Sequence, residues 1–190
     1  MMEIYQSSRT LDLPSLDPPS TKRKLHRPFA FSKVRPRYDQ IKDYLASAEP
    51  FLTLPRLLVP SRRVKYKPPV MRYGWRVSQD FLLDYARTKR LTRKWGRDLT
   101  EYERMDRALA TINKKCGASM SDVILQVQTT LLDGMGCRTF VISMYTNYQL
   151  KRTDLPSQDG IERLQRAFGF EEPPSWFLDG LEWQWSRWSY

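Results

Sequence analysis

The side chains of this chain that are able to do chemistry are mostly cations. Between Pro50 and Gln79 there is no acidic residue, yet Arg56, Arg62, Arg63, Lys65, Lys67, Arg72 and Arg76 all fall there. A second acid-free stretch, from Tyr85 through Arg97, holds Arg87, Lys89, Arg90, Arg93, Lys94 and Arg97. Such stretches attract phosphates, and the Tyr66, Tyr73, Trp75 and Trp95 rings among them are of the kind that stacks on bases. The expectation is a nucleic acid or another polyanion bound through these residues. Cations also suit a helix C-terminus because of its dipole, so part of the second stretch needs no ligand to account for it.

Other chemistries have fewer carriers. His26 is the only histidine, which removes Ser-His-Asp and Cys-His catalysis and argues against a zinc site built on histidine. Cys116 and Cys137 are the only cysteines, too few for a zinc site of four thiolates or for a disulfide framework. There is no phosphate-binding Gly-x-x-x-x-Gly-Lys-Ser/Thr loop and no Gly-x-Gly-x-x-Gly after a strand. No cofactor and no metal are therefore expected. Two carboxylate pairs, Asp80 with Asp84 and Asp179 with Glu182, share helical spacing and leave an enzyme working through acids in a cleft as a third reading.

The charge is uneven along the chain. Of a net +11, residues 1–74 carry +9 from 15 basic and 6 acidic side chains, residues 75–150 carry +4, and residues 151–190 carry −2. A polyanion would be drawn to the first half. No run of apolar residues is long enough to span a bilayer and no secretory h-region stands at the N-terminus, so an intracellular protein, cytoplasmic or nuclear, is expected.

The elements that must position these residues read as one α+β domain. About four helices are expected to pack on a short antiparallel hairpin or sheet, behind a disordered basic tail and an extended Pro-rich arm. Residues 1–37, rich in Ser, Pro and Lys/Arg, form the tail; the run from Thr21 to Pro28 has the composition of an import peptide or a phosphate-contacting arm. Residues 38–72 hold a short amphipathic helix up to Ala48 and the arm, where Pro55, Pro60, Pro68 and Pro69 exclude a long helix and a central strand. The arm should lie on the core through Leu57, Leu58, Val59, Val64, Tyr66 and Val70, with its cations outward.

Residues 73–190 form the core. Ser78 caps a helix over 79–90, and Thr100 with Glu103 forms a capping box for a second helix that Gly117 closes. Residues 122–132 alternate as a strand, although Val123, Val127, Thr130 and Leu131 also fit a helix; a turn follows at Asp133-Gly134-Met135-Gly136, and Cys137 to Tyr145 makes the antiparallel partner of the strand reading. A further helix runs from Ser157 to Phe168, closed by Gly169. Four of the six Trp then crowd the C-terminus, where Trp183, Trp185 and Trp188 either dock on the core or present an aromatic face to a protein partner or a second copy.

At Tyr73-Gly74-Trp75-Arg76, Phe81-Leu82, Tyr85-Ala86, Tyr145-Thr146-Asn147, Leu155-Pro156 and Pro174-Ser175-Trp176 the chain resembles a group of small uncharacterised proteins of basidiomycete fungi. The likeness covers roughly 73–185 and implies one domain behind a divergent arm. It implies no activity, cofactor or catalytic residue.

Overall fold

A computed structural model of the chain describes residues 13–34, 50–61, 65–94, 96–115, 126–130, 139–153 and 155–188. In chain order its elements are β1 (Tyr66–Lys67), β2 (Met71–Val77), α1 (Gln79–Thr88), β3 (Arg93–Lys94), β4 (Arg97–Asp98), α2 (Glu101–Lys115), β5 (Gln126–Thr130), β6 (Thr139–Thr146), α3 (Gln158–Phe168), β7 (Ser175–Leu178) and β8 (Ser186–Arg187). The chain is a mixed helix and strand protein, of the α+β class.

β6 is the strand with the most uniform burial, because a run of aromatic, β-branched and Met side chains fills both of its faces: Phe140, Val141, Ile142, Met144 and Tyr145 are all buried. It pairs antiparallel with β5 on one side and β2 on the other, and β7 completes a four-stranded sheet in the order β5-β6-β2-β7. The antiparallel pairing expected of residues 122–132 with 137–145 is present between β5 and β6, inside a larger sheet, and the turn expected at 133–136 lies outside the described residues.

β2 is the strand the sequence conceals. Arg72, Gly74 and Arg76 interrupt the apolar pattern on one face, while Met71, Tyr73, Trp75 and Val77 form the other and enter the core. The pairing with β6 slips between Tyr73 and Gly74: Tyr73 faces Tyr145 and Gly74 faces Ser143, so Met144 is a bulge residue without a counterpart.

The helices follow their caps. The Ser78 hydroxyl accepts from the Phe81 amide at 3.2 Å, Ser157 does the same for Gly160, and Gly169 ends α3 with φ 74°. Leu82 and Ala86 of α1 meet the stripe Met105, Ala108, Leu109 and Ile112 of α2 in the main core, joined by Ile161, Leu164 and Phe168 of α3. The helix expected up to Ala48, the Gly117 stop and both cysteines lie outside the described residues.

Two expectations need correction. The tail is not wholly a solvated segment: Leu16 and Phe29 are each only 5% exposed, and Leu16 bridges Leu54 as an extra parallel strand position. Short apolar pieces without a helical or strand period look disordered locally, yet each fills a gap in a core made by distant residues. The C-terminus is also divided. Trp176 and Trp183 are buried on the core, whereas Trp185 and Trp188 are half-buried and Leu181 is 82% exposed, so Trp183 leaves the aromatic face considered for a partner.

Candidate nucleic-acid interface

The second cationic stretch is built as a rigid corner. α1 ends at Thr88, and the chain reverses through Arg90, which holds φ 55° in the left-handed region while the Leu91 amide donates back to the Ala86 carbonyl at 2.8 Å. That conformation disfavours any side chain by about 1–2 kcal/mol, so the surrounding hydrogen bonds must hold it. A tight hairpin follows, with Arg93 opposite Asp98, Lys94 opposite Arg97, and Gly96 at φ 81° in the turn.

The hairpin is pinned to the start of α2. Arg97 grips Glu103 through both terminal guanidinium nitrogens, at 2.5 and 3.1 Å, and the Glu103 carboxylate also accepts from the Thr100 amide at 2.9 Å in the expected capping box. These hydrogen bonds, Arg97 first and the Thr100 amide second, hold the Glu103 carboxyl at about 2, well under its ordinary 4.5, and the same pairing raises Arg97. Arg107 donates to the Arg93 carbonyl at 2.6 Å and Arg104 to the Leu99 carbonyl at 2.8 Å.

Arg87, Lys89, Arg90, Arg93 and Arg97 are all exposed on this corner, and Lys94 shares its hairpin. Arg87 pairs with Asp84 at 2.9 Å and Arg93 with Asp98 at 3.0 Å, with each partner more than 60% exposed. Ion pairs that wet contribute about 0–1 kcal/mol, so a phosphate can compete for them. Lys89 and Arg90 have no ionic partner among the described residues.

The arm is different. Arg56 turns inward and donates to the Asp17 carbonyl at 2.8 Å, beside the buried Asp17 carboxylate that takes Thr53 at 2.6 Å and Arg23 at 3.0 Å. Arg72, only 13% exposed, binds Asp179, whose other oxygen caps the Leu181 and Glu182 amides at 2.8 Å. The expectation that the arm's cations face outward therefore fails at these two residues, because buried carboxylates and carbonyls recruit them. Lys67 lies 3.8 Å from Glu182, Lys65 is exposed, and Arg62 and Arg63 lie outside the described residues.

The aromatic residues also sort into two groups. Tyr73 and Trp75 are core, packed in tilted contacts among Tyr145, Trp176, Phe168 and Phe170, and burial pushes the Tyr73 and Tyr145 hydroxyls up. Trp183 is buried, which removes it from the partner surface considered above, while Trp185 and Trp188 are half-buried. Tyr66 remains at the surface on a two-stranded ribbon, where β1 pairs with β8 and Tyr66 stands opposite Arg187. Trp95 lies outside the described residues. Phe31 joins this ribbon from the tail, a neighbour that sequence reading missed and that no local signal could have supplied.

Neither expected acidic pair is free in a cleft as a unit: Asp179 is buried and engaged by Arg72 and two backbone amides, and Asp84 pairs with Arg87. Glu182 borders two smaller clefts, and the cleft of about 430 Å³ is lined by Trp75, Arg76, Phe170 and Phe177 with two other carboxylates, Glu171 and Glu172. Among the described residues no cluster of His, Cys, Asp and Glu could hold a metal ion, and no helix is long and apolar enough to cross a membrane. Comparison with protein-family models, with curated protein sequences and with solved structures finds no match for the chain.

Proposed function

We propose that this chain is a non-enzymatic binding protein that engages a nucleic acid or another polyanion through the corner formed by the end of α1 and the β3–β4 hairpin. One observation carries the reading. Arg87, Lys89, Arg90, Arg93 and Arg97 are exposed together on a segment that is fixed by backbone hydrogen bonds at Leu91 and by the Arg97 grip on Glu103. Cations held on a rigid frame lose less conformational entropy on meeting a phosphate chain than the same residues on a loose tail. From Asp84 to Arg107 there are eight cations against five acids, so the corner stays positive even with its internal pairs formed.

The test is the salt dependence of binding to a labelled oligonucleotide. Affinity should fall linearly on a logarithmic salt scale, and the double variant Lys89→Gln with Arg90→Gln should weaken binding on every sequence while reducing the slope by about 2. An affinity indifferent to salt, or untouched by the double variant, would refute the reading.

A further inference from the structure

We infer that the β1–β8 ribbon is a base-stacking surface and that the nucleic acid this protein prefers is single-stranded. The inference rests on the polyanion reading above and narrows its ligand class. Phe31 is 46% exposed, with its ring 5.1 Å from Tyr66 and 5.2 Å from Trp185 in edge-to-face arrangements. Three aromatic side chains from remote parts of the chain thus adjoin, with Phe31 exposed and Tyr66 and Trp185 half-buried beside it. A single exposed ring is ordinary, but adjoining rings bordered by cations are the composition of a single-strand site.

The border is cationic. Arg187 is exposed with its guanidinium 6.0 Å over the Tyr66 ring, Lys65 is exposed next to it, and Lys67 follows on the same strand. Glu182, 3.8 Å from Lys67, is the acid in contact with the ribbon among the described residues. Trp185 is fixed by its indole N–H, which donates to the Phe29 carbonyl at 3.2 Å, so the rings are placed before any ligand arrives. A duplex keeps its bases stacked on each other and offers them no free faces, whereas an unpaired strand can lay successive bases on these rings.

The experiment compares the full chain binding a labelled oligo-dT strand with the same strand annealed to oligo-dA, for wild type, Phe31→Leu and Phe31→Trp. The wild type should prefer the single strand. Phe31→Leu, which keeps an apolar anchor and loses the ring, should lower single-strand affinity about tenfold and leave duplex affinity unchanged, and Phe31→Trp should restore it. Salt-dependent binding with equal affinity for both forms, or Leu and Trp variants that bind alike, overturns the stacking surface and leaves the cationic corner standing. Absence of any nucleic-acid binding at low salt overturns both.

Discussion

Gly74 of β2 lies so close to β6 that a Cβ built on it would stand 1.9 Å from the Ile142 carbonyl oxygen and 2.9 Å from the Ser143 Cα. The contact sits at the bulge that lets Tyr73 face Tyr145 while Trp75 faces Ile142. Backbone atoms cannot yield as a flexible side chain would. Gly74→Ala should therefore cost about 3 kcal/mol or more, read as a lowered urea midpoint with the slope retained. A variant as stable as wild type would show that the two strands are further apart than this.

Asn147 is 2% exposed and ties three segments together. Its amide nitrogen donates to the Leu58 carbonyl at 2.7 Å and the Pro69 carbonyl at 3.0 Å, and its oxygen accepts from the Met71 amide at 3.0 Å. Asn147→Asp keeps the volume and replaces two donors with a carboxylate facing two carbonyls, so it should cost about 3–5 kcal/mol at neutral pH. Chemical denaturation checks this, and a loss under about 1 kcal/mol would mean that the arm is not anchored at this point.

Glu103 gives a pH dependence whose sign follows from its lowered folded value. The group binds its proton at about 2 in the folded protein and near 4.5 when freed, so the unfolded chain takes up protons first as acid is added. Its contribution is present above about 4.5 and disappears as pH falls toward about 2. Thermal melts of wild type and Glu103→Gln should differ at pH 6 and converge in acid, with the crossover inside that window. Because the pair is open to solvent, with Arg97 57% and Glu103 38% exposed, added salt should narrow the gap as well.

Much of this fold could be read locally, and the parts that could not share one cause. Ser78, Thr100, Glu103, Ser157 and Gly169 mark their helices because a cap needs only residues three or four positions away. β6 was legible because Phe140, Ile142 and Met144 alternate on one face while Val141 and Tyr145 flank Ser143 on the other. β2 was not, since the reason for its Gly74 is a carbonyl 68 positions later in the chain, at Ile142. The same holds for the cations: Arg87, Lys89, Arg90, Arg93 and Arg97 keep the exposure their composition suggests, whereas Arg56 and Arg72 are claimed by Asp17 and Asp179, partners that spacing along the chain cannot reveal.

The tail supplies the sharpest contrast between composition and packing. Ser15 places its carbonyl 2.8 Å from the indole nitrogen of the fully buried Trp176 and its hydroxyl 3.1 Å from the Tyr145 hydroxyl, while Leu16 and Phe29 enter the core. Removing residues 1–34 would expose the surfaces those two side chains cover, each worth about 1.5–3 kcal/mol, and would leave the Trp176 donor without its acceptor. A solvated tail would come off without effect on stability. The truncated chain should instead melt well below the full one, by about 3 kcal/mol or more at the midpoint, and Leu16→Ala alone should account for about 2 kcal/mol of that. Equal melting of the two chains would mean that this segment rests on the surface and does not complete the core, and Phe31 would then have no fixed place beside Tyr66 and Trp185.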